Sequence, residues 1–294
     1  MDIGKIGAGG LATPRLVLGG NVFGWTTKGE AAFAILDRFA EAGGTMVDTA
    51  DVYSAWVPGH RGGESEALIG AWLQRRARQG RDGLAVATKV GFMAGLKADG
   101  IARAAEASLK RLGVEAIDLY YAHKETLGAF DKLVRAGKVR AIGASNYSAE
   151  RLAEALAVSE REGLARYEVL QPEYNLMTRT GYEGALQQLC VAEGIGVLPY
   201  FGLAAGFLTG KYRSQADFGK SVRGDRMSAY LDERGLRVLA ALDAVAAETG
   251  ATPAQAALAW LAAQPGVTAP IASATSLAQL EELLGVFRLE LSAE

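Results

Sequence analysis

Three ionisable side chains of different chemistry stand at the ends of short apolar runs: Asp48 closes 45–48, Lys89 follows 84–88, and His123 follows 117–121 through Ala122. A charged group at the rim of an apolar element has to be paired or working. Later runs end the same way, with Ser145 and Asn146 after 139–144, Gln171, Glu173, Tyr174 and Asn175 around 169–172, and Tyr200 at the end of 196–200. Each residue alone has a plain structural reading: Lys89 as a solvated loop residue, Asp48 as a helix cap, His123 as a satisfied core histidine. Their joint occurrence favours a site. The chemistry open to such a set is proton transfer, or, for the lysine alone, a Schiff base.

The elements that would position these groups alternate. Apolar runs at 15–18, 45–48, 84–88, 117–121, 139–145, 169–172, 196–200 and 267–273 are separated by amphipathic stretches, notably 30–42, 64–78, 101–112, 149–162 and 233–249. Apolar positions recur there at intervals of three and four, the period of a helix. Ser148 is placed to cap one helix, Thr252 and Pro253 open another, and Gly43, Gly113, Gly163 and Gly194 follow the ends of others. Eight strands each followed by a helix predict a single α/β domain over 1–294, a (β/α)8 TIM barrel whose chemistry lies at the C-terminal ends of the strands. A doubly wound sheet is the alternative, because spacing alone does not prove closure. Residues 201–232 form a long polar insertion after strand seven, predicted as a loop. The glycine-rich stretch 7–12 precedes the first strand and opens no helix, so it predicts an N-terminal hairpin and no dinucleotide fingerprint.

Composition narrows the classes of function. The 294 residues carry 31 basic and 33 acidic side chains, a net charge of −2, so no cationic field collects nucleic acid. One cysteine, Cys190, and two histidines, His60 and His123, exclude an intramolecular disulfide and a closed Cys/His zinc site. No metal is expected. There is no basic segment followed by an apolar one at the start and no uninterrupted apolar run near the roughly 18 residues of a membrane span. The expected compartment is the cytoplasm.

The motifs VDTADVY at 47–53, ATK at 87–89, DLYYAH at 118–123, GASN at 143–146, QPEYN at 171–175 and GFLTGKY at 206–212, in this order and spacing, resemble those of the aldo-keto reductases. The chain is most similar to the bacterial branch that groups with potassium-channel β-subunit-like members. The resemblance implies a catalytic tetrad of Asp48, Tyr53, Lys89 and His123. An isolated phenol, with a pKa near 10, is a reluctant acid at pH 7; a lysine ammonium beside it stabilises the phenolate, and an aspartate holds the lysine. His123 would orient the substrate oxygen.

The same resemblance implies a nicotinamide cofactor. Ser145, Asn146 and Gln171 match positions around the nicotinamide, Tyr200 matches the aromatic that stacks on it, and Asn21 is a further cofactor-binding position. Leu203, Gly206, Leu208, Lys211 and Arg213 match the loop over the pyrophosphate, and Ser273, Thr275, Gln279 and Glu282 the far end of the dinucleotide. Thr275 stands where the family commonly carries the arginine that clamps the 2′-phosphate. NADPH/NADP+ is the expected cofactor, with NADH as an alternative. After His123 the chain passes directly into 124–130, where relatives usually insert a polar stretch, and 291–294 coincide with the beginning of the family's usual final helix.

Trp25, Tyr53, Trp56, Phe92 and His123 would line the substrate pocket, with core packing as the other role for the aromatic residues. His60 is read as a surface-loop histidine. The expected activity is hydride transfer between NADP(H) and the carbonyl carbon of an aldehyde or ketone, with Tyr53 as proton donor. An NADPH-binding regulatory subunit with slow residual turnover is the alternative. The partners expected are small carbonyl or alcohol molecules, neither nucleic acid nor membrane, with monomer and homo-oligomer both open.

Overall fold

A computed structural model describes residues 4–6, 11–13, 15–90, 98–122, 127–222, 224–289 and 291. Two short antiparallel strands, β1 (Gly4–Ile6) and β2 (Leu11–Thr13), make the expected hairpin. Eight parallel strands follow: β3 (Val17–Gly19), β4 (Met46–Asp48), β5 (Ala85–Val90), β6 (Ile117–Ala122), β7 (Val139–Ser145), β8 (Tyr167–Gln171), β9 (Gly196–Val197) and β10 (Ile271–Ala272). Each of β3 to β8 pairs with the next, and β10 returns to pair with β3. Between β9 and β10 the Thr268 N–H donates to the Val197 carbonyl at 2.8 Å and the Ile271 N–H to the Pro199 carbonyl at 2.9 Å. Those bonds close the ring, which decides for the barrel over an open sheet.

Helices α1 (Gly29–Glu41), α2 (Glu64–Arg78), α3 (Ala98–Leu112), α4 (Leu127–Arg135), α5 (Ala149–Glu162), α6 (Ala185–Glu193), α7 (Glu233–Thr249), α8 (Pro253–Ala262) and α9 (Leu277–Leu284) accompany the strands. Local signals set their ends. Ser148, Asp232, Thr252 and Ser276 each accept a first-turn N–H, and Thr252 with Gln255 forms a reciprocal capping box. None of the described helices is long and apolar enough to cross a membrane.

Strand alternation divides the core. Val17, Met46, Ala87, Leu119, Tyr121, Ala141, Val169 and Leu198 fill the barrel, while Leu18, Val47, Val86, Tyr120 and Ile142 face the helices. By that period of two, Asp48, Lys89, Ser145 and Gln171 continue the inward rows at the C-terminal ends of their strands. The barrel mouth therefore receives them from β4, β5, β7 and β8.

Three expectations need correction. The last two strands are much shorter than 196–200 and 267–273, because Pro199 and Pro270 offer no ladder N–H. The helix expected at 101–112 begins one turn earlier, at Ala98. The insertion at 201–232 is not a plain polar loop: it winds through 3-10 helices Ala204–Thr209, Gln215–Lys220 and Gly224–Ala229. Phe207, Leu208, Tyr212 and Met227 from it pack with Leu239 and Leu242 of α7 and with Ala256 and Ala257 of α8.

Candidate active site

Asp48 and Lys89 meet at the mouth of the barrel on neighbouring strands. The Lys89 ammonium donates to Asp48 Oδ1 and to the Thr49 carbonyl, both at 2.6 Å. With exposures of 2% and 4%, the two charges are shielded from water. Burial pushes the lysine pKa down, and the neighbouring Asp48 carboxylate opposes that. The other carboxylate oxygen, Oδ2, accepts from Gln171 Nε2 at 2.8 Å. Asp48 is thus held from two sides.

Tyr53 hangs over this pair from the segment after β4. The ladder with β5 continues past the strand end, as Thr49 N–H donates to the Ala87 carbonyl and Asp51 N–H to the Lys89 carbonyl. A run of turns follows, including Ser54 in the left-handed region at φ 75°, with its hydroxyl bonded to the Phe23 carbonyl. The Tyr53 hydroxyl comes to 3.5 Å from Asp48 Oδ1, and the Lys89 ammonium lies 4.9 Å from the Tyr53 ring centre. Trp56, 49% exposed, contacts Tyr53 and Trp25 edge to face at 6.0 and 5.5 Å between ring centres. His123 and Phe92 lie outside the described residues.

Asp51 is the most perturbed carboxyl with a defined value near the site. Burial, helped by the negative charge of Glu66, raises its pKa to about 6, against the opposing pull of Arg111 and Lys89.

The residues matched to the cofactor fall into three groups. At the mouth, Ser145 Oγ donates to the Gln171 carbonyl at 3.1 Å, and the Tyr200 hydroxyl to Asn146 Oδ1 at 3.0 Å. Asn146 is itself left-handed, at φ 60°. At the seam of the ring, Ser273 Oγ donates to Asn21 Oδ1 at 2.6 Å, while the Thr275 N–H and hydroxyl both donate to Gln279 Oε1 at 2.8 and 2.9 Å. Glu282 is half-buried, and its carbonyl accepts from Gln255.

In the insertion, Leu203 is half-buried, Gly206 has φ 106°, and Lys211 Nζ lies over the Tyr212 ring. Leu208 is fully buried among apolar side chains, so any contact it makes to a ligand is through its backbone. The exposed Arg213 is held bidentately by Asp243 at 2.7 Å.

Sequence reasoning did not mark the first turn of α2. Ser65 and Glu66 are wholly buried there, and Glu66 reaches Thr88 and Arg111. The available signal was the adjacent Gly62 and Gly63, both left-handed, which bend the chain into that helix. His60, read as a surface residue, is half-buried with Nδ1 4.0 Å from Glu64.

The fold is a TIM barrel with ionisable groups gathered at its rim, and comparison with known proteins gives the family. The Aldo/keto reductase family profile matches residues 15–294, and the chain belongs to that family. It is 33% identical over 316 residues to the uncharacterized oxidoreductase YrpG of Bacillus subtilis, covering 100% of this chain and 93% of that one. It is 31% identical over 289 residues to the aldo-keto reductase yakc [NADP(+)] of Schizosaccharomyces pombe, covering 90% and 79%. A probable voltage-gated potassium channel subunit beta of Arabidopsis thaliana is 30% identical over 302 residues, covering 96% and 90%.

Proposed function

We propose that this aldo/keto reductase interconverts aldehydes or ketones with alcohols, with NADPH as the favoured cofactor and Tyr53 as the proton donor. The observation that carries the reading is the buried Asp48–Lys89 pair, 2.6 Å apart, with its ammonium beside the Tyr53 ring.

The rim residues fit a nicotinamide cofactor. Asn146 offers a side-chain amide at a strained left-handed position, and Phe201, Ala204 and Ala205 hold positive φ beside Gly206. Strain of this kind at several non-glycine positions concentrates at ligand sites. Ser145, Asn146, Gln171 and Tyr200 would hold the nicotinamide end; the backbone of 203–213 would lie along the phosphates; Asn21, Ser273, Thr275, Gln279 and Glu282 would face the far end. When bound, the cofactor supplies or accepts the hydride.

The protein's own residues do the proton work. In the reductive direction the carbonyl oxygen gains negative charge as its carbon is reduced, and the Tyr53 hydroxyl gives it a proton. The resulting phenolate is stabilised by the Lys89 ammonium. Asp48 keeps that ammonium charged in its buried position, and Gln171 fixes Asp48. His123, assigned by resemblance, would orient the oxygen. Trp25 and Trp56 form an aromatic wall beside Tyr53 that suits apolar or ring-bearing substrates.

The test is a carbonyl panel run with NADPH on the wild type and Tyr53→Phe. Turnover that disappears in the variant supports the assignment, and unchanged turnover rejects it. The likeness to a channel subunit motivates the regulatory reading, which uniformly negligible rates together with tight NADPH binding would favour.

A further inference from the structure

We infer that Ser65 and Glu66, in the first turn of α2, are positioning residues for the proton donor, because together they hold the segment that receives the Lys89 ammonium and the strand that carries it. The inference rests on the reductase reading above.

The Lys89 ammonium is fixed by Asp48 Oδ1 on one side and the Thr49 carbonyl on the other. Thr49 donates its hydroxyl to Ser65 Oγ at 2.8 Å, and Ser65 Oγ donates to the Gly20 carbonyl at 2.7 Å. The Thr49 carbonyl is therefore tied to α2 and, through it, to the end of β3.

Strand alternation supplies the second tie. Lys89 points into the barrel, so Thr88 points outward beneath α2, where its hydroxyl donates to Glu66 Oε1 at 2.6 Å. Glu66 is 0% exposed, and its other oxygen accepts from Arg111 of α3 at 2.7 Å. The packing leaves α2 little room to shift: a Cβ on Gly63 would come within 2.6 Å of Arg111 Cδ, and one on Gly70 would collide with the Arg111 carbonyl.

This layer also sets the field at Lys89. The charged and titratable groups around Glu66 are Arg111 from α3, Lys89 from β5, Asp51 after β4 and Tyr120 from β6. Arg111 balances Glu66 directly. Glu66 and Asp51 both favour the protonated lysine, so removing either negative charge makes its proton easier to lose.

Thr88→Val, Thr88→Ser and Glu66→Gln separate positioning from plain packing, with nitrobenzaldehyde and NADPH as the assay and Tyr53→Phe as control. Thr88→Val should lower kcat by about tenfold, with KM for the aldehyde and Kd for NADPH within about twofold of wild type. Thr88→Ser, which restores the hydroxyl, should recover kcat to within about twofold. Glu66→Gln should move the alkaline limb of kcat/KM to lower pH by about half a unit or more.

If Tyr53→Phe is inactive while Thr88→Val and Glu66→Gln keep the wild-type kcat and pH profile, the inference fails and the reductase reading stands. If the wild type does not reduce the aldehyde, or Tyr53→Phe keeps full activity, the reading underneath fails and takes the inference with it. Should Glu66→Gln not fold, the contrast between Thr88→Val and Thr88→Ser decides the question.

Discussion

The Lys89 ammonium sits 2.6 Å from the Asp48 carboxylate with both side chains almost wholly buried. Neither charge has water to fall back on. Asp48→Asn should destabilise the protein by about 3–5 kcal/mol, the range for breaking a buried pair and leaving one charge uncompensated. Urea unfolding at pH 7 measures this as a lower midpoint with an unchanged slope. A midpoint equal to wild type would mean that the Thr49 carbonyl and solvent entry satisfy the lysine unaided.

Tyr53→Phe removes one hydroxyl 3.5 Å from Asp48 and leaves the ring and its contact with Trp56. Loss of a positioned general acid should lower kcat by about 10²- to 10⁴-fold. NADPH affinity, read by fluorescence titration, should stay within about twofold of wild type. Comparable losses in both quantities would instead assign Tyr53 to cofactor binding.

Asp51 gives a pH signature of definite sign. Its pKa is raised to about 6 in the fold from an ordinary 3.8. Between those values the folded chain retains a proton that the unfolded chain has released, so this group's contribution makes stability fall as pH rises through the window. Asp51→Asn removes the penalty. The variant should match wild type near pH 4 and exceed it at pH 7.5, by at most ~3 kcal/mol for a two-unit displacement. Urea titrations at the two pH values check it, and a gap that narrows with pH would contradict the burial of Asp51.

The residues proposed for the far end of the dinucleotide bear on cofactor choice. Thr275 and Gln279 hydrogen-bond each other, and Arg213 is engaged by Asp243. With no arginine fork at position 275, preference for NADPH over NADH should be about tenfold, or 1.4 kcal/mol. Thr275→Arg should widen it. Equal Kd values for the two nucleotides in both proteins would place the 2′-phosphate elsewhere.

Asp48 and Lys89 were legible because each is a charge closing an apolar run, and strand alternation then fixes the face. The bonds that brace them were not, although Gln171 itself stood out at the end of its run. Gln171 meets Asp48 across 123 residues, and Glu66 meets Thr88 and Arg111 only because α2 and α3 pack tightly over β5. In the sequence Glu66 is one more acid in a first helical turn, the commonest place for a solvated one. The insertion read as polar because its glycines and basic residues are interspersed among the apolar side chains that anchor it, such as Phe207, Leu208, Tyr212 and Met227. Strands seven and eight were overextended because the apolar runs were followed through Pro199 and Pro270, whose missing N–H is itself a sequence-level sign of a break in the ladder.

The pairing of β10 with β3 has a consequence for how the molecule is made. Apart from Gln171, the groups that hold the Lys89 ammonium, from Asp48 to Arg111, precede residue 112, yet the strand that covers the free edge of β3 is Ile271–Ala272. During synthesis from the N-terminus, that edge has no partner until residue 272 has emerged. Its ladder is only three residues, Val17–Gly19, too short to template pairing with another chain, and brevity is one of the ways native sheets protect an open edge. The same shortness that makes the seam thin in the finished barrel offers little edge for a second chain to pair with before closure.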